Sequence, residues 1–154
     1  MLLADLLLSG ATTLAAVALG AMLLFVGVVT PAAFASLGPD GASRYLRVLF
    51  PRYYVALAVI CLAVAILASV APTTAPEPSP KASWPLPAAA LFGVLGSLFA
   101  RQVLTPRINA ARDAMVGGDA AAGATFRSLH RSSVLLHLAQ LVSLVAGLGW
   151  TLFG

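Results

Sequence analysis

Residues Leu6–Val29 read LLLSGATTLAAVALGAMLLFVGVV, and none of them carries a charge. A helix needs about 20 predominantly apolar residues to cross a hydrocarbon core about 30 Å thick, and this run meets that length. Three more runs repeat the pattern. Tyr53–Ala71 and Ser132–Gly154 are uncharged, and Pro85–Ala100 stays uncharged until Arg101 and continues to Leu104. Composition agrees, with 60% hydrophobic residues and 9% charged, where soluble domains carry about 25% charged residues. The sequence therefore predicts an all-α integral membrane protein, one domain over 1–154. It is expected as a four-helix bundle with spans near 6–29, 53–71, 85–104 and 133–153 and short cytoplasmic surface helices between them.

The formal net charge is +4 and the pI about 10.0, values that in a soluble chain would suggest nucleic acid. The positions of the charges exclude that. Arg44, Arg47 and Arg52 fall between the first two apolar runs, and Arg101, Arg107, Arg112, Arg127 and Arg131 between the last two. The second connection has only Lys81. Positive residues concentrate in cytoplasmic loops, so both termini are expected outside the cytoplasm, in a plasma (inner) membrane. The expected partner is the lipid bilayer, with other membrane proteins or a second copy in addition, and no nucleic acid.

PAAFAS (Pro31–Ser36) resembles a leader-cleavage site. The run before it exceeds a 7–15-residue signal core, and Met1–Leu8 has no Lys or Arg, so this run reads as a retained span. Cys61 is the single cysteine, which excludes an internal disulfide and fits a small buried hydrophobe.

Ser9, Thr13, Ala16, Gly20 and Gly27 form a small-residue stripe on the first span. In lipid such a stripe lets another helix approach closely, and the sequence leaves open whether that helix belongs to the same copy. Thr30-Pro31 is expected to break the helix, since Pro removes a ladder donor. Asp40 should cap a short helix over 42–49, and Pro51 should start the next. Tyr53 and Tyr54 then fit an interfacial aromatic belt. Residues 72–84 should form an external Pro-rich connector ending at an interfacial Trp84. Thr105-Pro106 marks a further helix start, with a stop at Gly117-Gly118 and Asp119 as the cap of the last helix.

In FRSLHRSSVLLHLAQ (Phe126–Gln140), His130, Ser133, His137 and Gln140 recur at three- and four-residue steps, which places them on one helical face. Polar groups at this depth should face the bundle interior. Three readings compete. The residues bond across helices and fix packing, or His130 and His137 ligate haem or a transition metal, or the stripe carries protons or a small solute. Two histidines seven residues apart are too distant to clasp one ion from a single helix, and the other apolar runs contain no histidine and no carboxylate. No cofactor is therefore the leading expectation. No phosphate-binding glycine loop, CxxC pair or catalytic spacing appears.

Four segments together carry a family likeness: PAAF (31–34), LFPRYY (49–54), TPRINAARD (105–113) and FRSLHRSSVLLHL (126–138). In this order they resemble the transmembrane protein 205-like family, whose bacterial members form domain of unknown function 4149. The resemblance marks Pro31, Phe34, Phe50, Pro51, Tyr53, Pro106, Asn109, Phe126, His130 and Ser133 as family-like. His137 departs from it, since the family pattern has asparagine there. It implies the membrane architecture and no mechanism.

Most of these positions fall on the expected cytoplasmic side. His130 and Asn109 are expected to form a polar centre there, ringed by Phe34, Phe50 and Phe126. The functional expectation is a non-enzymatic membrane protein acting as an accessory subunit or interaction module. The alternative is a haem-, metal- or solute-handling protein centred on His130 and His137.

Overall fold

The computed structural model describes residues 2–74 and 84–154, which places most of the expected connector (75–83) outside the described residues. Helix α1 covers Leu2–Leu24, α2 Thr30–Val70, α3 Pro85–Phe99, α4 Thr105–Val116 and α5 Ala122–Phe153. Five-residue π-turns, Phe25–Val29 and Ala100–Leu104, join α1 to α2 and α3 to α4, and a 3₁₀ turn over Ala71–Thr74 ends α2. No strand occurs among the described residues.

Three helices are long and apolar enough to cross a membrane: Leu2–Thr74, Pro85–Val116 and Ala122–Phe153. The four separate helices expected are thus three, because helical structure runs on through the Thr-Pro steps and the first stretch joins two helices end to end at a kink at Gly38. The two Thr-Pro steps use one device. At each, the π-turn takes up the ladder position that proline cannot fill. The Thr30 hydroxyl donates to the Phe25 carbonyl at 3.0 Å, and the Thr105 hydroxyl to the Ala100 carbonyl at 2.8 Å. Pro51 likewise lies inside α2 rather than at a helix start. The short helix expected over 42–49 begins after the kink at Gly38 and continues through Pro51 without a break.

Leu2–Thr74 has 73 residues, about 110 Å if straight. It is not straight. Gly38 has φ 65° and ψ 176°, a left-handed backbone that glycine adopts without a Cβ penalty. On either side the chain folds back on itself. Ala11 and Ala15 pack with Val64, Ala65 and Ala68, Ala18 and Met22 with Leu57 and Cys61, and Phe25 and Ala33 with Ala42 and Leu46. Early residues meet late ones in reverse order, so the part of α2 beyond Gly38 runs antiparallel to α1.

Helix α3 packs between α2 and α5. Leu86 and Ala90 join the first core cluster, and Ala89 and Leu144 the second. This core is built from small side chains, which lets helices approach where burial of oily groups gives no advantage over lipid. At Gly93 a Cβ would lie 2.7 Å from Cys61 Sγ, so Cys61 is a buried packing group against a bare helix.

Helix α4 ends at Gly117 and Gly118, the latter with φ 94°. The Asp119 carboxylate accepts the Ala121 N–H at 2.8 Å just ahead of α5. Helix α5 then runs unbroken for 32 residues, about 48 Å. It exceeds the hydrocarbon thickness of about 30 Å.

Candidate functional site

The polar face of α5 divides in two. Gln140 is 1% exposed, and Ser133 and His137 are half-buried, whereas His130 is exposed. His130 stacks on Phe126, ring centroids 5.9 Å apart and planes 8° from parallel. It therefore stands apart from the inward face.

Gln140 is the best-satisfied polar group inside the bundle. Its Nε2 donates to the Gly93 carbonyl at 2.9 Å and to Ser97 Oγ at 3.3 Å. A Cβ on Gly96 would lie 2.7 Å from that same nitrogen, so the bare backbone of α3 is what admits the amide. Here the packing reading of the polar stripe holds. The sequence marks Gly93, Gly96 and Ser97 as small packing residues of the third apolar run, but not as the partners of Gln140.

One turn back along α5, the arrangement changes. The His137 imidazole lies beside the Met22 backbone and 6.1 Å from the Tyr53 ring. Tyr53 stacks on Phe25 at 4.1 Å, and Phe50 packs on both Phe25 and Tyr54. Tyr54 is 5% exposed and neighbours Ser133. Tyr54 is thus a core group and Tyr53 is half-buried beside it, because the reversal at Gly38 turns this part of α2 onto α1 and α5. Tyr53 Oη and His137 Nε2 are both buried without a hydrogen-bond partner among the described residues. Buried polar atoms are paired in the large majority of cases, so this pair marks the least satisfied point of the core.

Of the expected polar centre of His130 and Asn109 ringed by Phe34, Phe50 and Phe126, the contact of Phe126 with His130 is present. No hydrogen bond joins Asn109 to His130 among the described residues, Phe34 is 45% exposed, and Phe50 and Phe126 stack on different partners. The elements at this end are joined by ion pairs instead. Arg47 on α2 meets Asp113 on α4 in a two-pronged contact of 2.6 and 3.1 Å, and Arg112 reaches Asp40 at 3.5 Å. Both groups of the first pair lie beyond the apolar runs. The hydrogen bond from Arg47 holds the Asp113 carboxyl below its ordinary range and raises the guanidinium in turn.

No group of three or more metal-ligating side chains converges among the described residues, and His130 and His137 face different surroundings. A metal or haem held by both histidines does not fit this geometry.

Residues 13–116 match the family described as domain of unknown function (DUF4149). The chain belongs to that family. The DUF4149 match takes in PAAF, LFPRYY and TPRINAARD and stops before α5, so Ser133, His137 and Gln140 lie beyond it. No curated protein matches the chain, and no solved structure does.

Proposed function

We propose that this DUF4149 protein is a non-enzymatic interaction module of the plasma membrane, an accessory subunit that docks another integral membrane protein against α1. In this reading Leu2–Thr74 crosses the bilayer twice, giving a four-span bundle. The arginine-rich end lies in the cytoplasm and both termini lie outside, a placement that the distribution of positive charge supports. The likeness of Phe126–Leu138 to the transmembrane protein 205-like family, beyond the matched segment, belongs to this proposal as well.

The observation that carries the reading is the orientation of α1. Ala11, Ala15, Ala18, Met22 and Phe25 are buried against the bundle, while Ser9, Thr13, Ala16, Gly20 and Gly27 are exposed. At 3.6 residues per turn the two sets lie on opposite faces. The small-residue stripe is therefore not the surface that builds this fold. A Cβ at Gly20 or Gly27 would meet nothing within 4 Å. An outward face of this kind offers close backbone approach to a further helix, and van der Waals packing of small residues is what drives association in lipid.

Gly20→Leu tests this directly. The account expects the protein to fold and insert as before, since the side chain enters open space, and to lose the larger complex in mild-detergent native electrophoresis. An unchanged complex, or a wild-type protein that migrates alone, rejects the accessory role.

The unpartnered pair Tyr53 Oη and His137 Nε2 favours a second reading, in which the core holds a small hydrogen-bonding guest or passes a proton. Tyr53→Phe separates the cases. If the hydroxyl meets a guest, its removal destabilises the protein; a rise in stability rejects this reading, since an unsatisfied buried hydroxyl costs about 1–3 kcal/mol.

A further inference from the structure

A groove of about 730 Å³ opens at the arginine-rich end between α2 and the π-turn that follows α3. Arg47, Arg52 and Arg101 stand around it, over apolar walls that include Val48, Val55 and Ala56. The three cations are not equivalent. Arg47 is committed to Asp113, whereas Arg52 and Arg101 have no ion-pair partner among the described residues. Arg52 spends one nitrogen on the Val48 carbonyl at 2.9 Å and keeps the rest of its fork. Arg101 sits within the π-turn that the Thr105 hydroxyl ties down, so the irregular backbone fixes where this guanidinium emerges.

Two uncompensated guanidiniums flanking one groove call for an anion, and their planar forks match phosphate oxygens. The surface below them identifies the rest of the occupant. Val55, Val59, Leu62 and Ile66 continue from Arg52 down α2, and Leu98, Leu95 and Leu91 continue from Arg101 back along α3, all exposed. Both sets follow steps of three and four, so each is a single helical row. The seven residues carry no polar side chain. Charge at the membrane surface above two apolar rows is complementary to a molecule with an anionic head and long acyl tails. Basic pockets between transmembrane helices hold lipid head groups in this manner.

We propose that this groove binds one anionic phospholipid, with Arg52 and Arg101 as the phosphate ligands and its acyl chains along the two rows. A free phosphate would use the arginines and leave the rows without a role. The inference requires only that this end lies at the bilayer surface, and it is independent of what docks on α1.

Native mass spectrometry of the full-length protein, titrated with phosphatidylglycerol or with phosphatidylcholine, tests the assignment. The wild type should retain one phosphatidylglycerol in preference to phosphatidylcholine. Arg52→Gln and Arg101→Gln should each weaken that binding about fivefold, as expected for about 1 kcal/mol per arginine, while Arg131→Gln on α5 leaves it unchanged. The two single variants are read separately, so a folding defect in one leaves the other decisive. Equal retention of both lipids, equal loss in Arg131→Gln, or wild-type binding in both single variants overturns the proposal. So does competition by millimolar inorganic phosphate that removes the lipid completely, since the site would then be one for the free ion.

Discussion

Arg47 and Asp113 are 66 positions apart in sequence and meet as a bidentate ion pair, Nη2 to Oδ1 at 2.6 Å and Nη1 to Oδ2 at 3.1 Å. The pair joins the two halves of the molecule, since α2 belongs to the hairpin around Gly38 and α4 leads into α5. Both side chains are substantially exposed, so the pair acts as a positioning clamp more than as a source of stability.

Asp113→Asn should therefore widen the distance distribution between spin labels on α2 and α4 with only a small drop in melting temperature. Because Arg47 depresses the Asp113 carboxyl, its contribution is present above the unfolded value, about 3.9, and is lost as pH falls through the lower folded one. The distribution of the wild type should broaden in that acidic window and in high salt, and that of the variant should not respond. A variant that responds as the wild type does would show that the clamp is not this pair.

Gly96 and Gln140 are coupled by contact, since a Cβ on Gly96 would lie 2.7 Å from Nε2 and 2.9 Å from Cδ. Gly96→Ala should cost about 1–3 kcal/mol, the usual cost of overpacking. In a Gln140→Ala background the same change should cost much less. Thermal unfolding of the four proteins of this cycle in detergent gives the coupling directly, and additive losses would contradict the geometry.

The two Thr-Pro π-turns make a third prediction. Pro106→Ala restores a ladder donor, so the turn over Ala100–Leu104 should tighten to regular helix and rotate everything before it relative to α4. Labels on Arg101 and Asn109 should report a changed separation. Thr105→Val removes only the hydroxyl bond to Ala100 and should cost about 0.5–1.5 kcal/mol. An unchanged separation in Pro106→Ala would mean that tertiary packing, not the proline, holds the bulge.

Much of this was legible in the residues. Apolar run length gave the helical class, and Gly117-Gly118 ended α4 where expected. Gln140 is buried and Ser133 and His137 are half-buried on the face that their spacing marks. Pro51 was misread as a helix start, since α2 runs through it, whereas Thr30 and Thr105 do begin α2 and α4, each joined to the helix before it by a π-turn that spacing rules do not foresee. His130 shared the period of the polar stripe and not its burial, since spacing gives a face and cannot say where the neighbouring helix stops. The stripe from Ser9 to Gly27 was legible as a packing surface, but its direction was not. The opposite row, Ala11, Ala15 and Ala18, is equally small, and only the fold shows which of the two the bundle uses.

Photo-crosslinking tests the central claim most directly. A photoreactive residue placed at Thr13 or Ala16, on the exposed face of α1, is activated in intact membranes, with the same probe at the buried Ala15 as reference. The account predicts a defined crosslink to a different integral membrane protein from the exposed positions and none from Ala15. Crosslinks only to a second copy of this chain, or only to lipid, would contradict the reading of α1 as the docking surface of an accessory subunit.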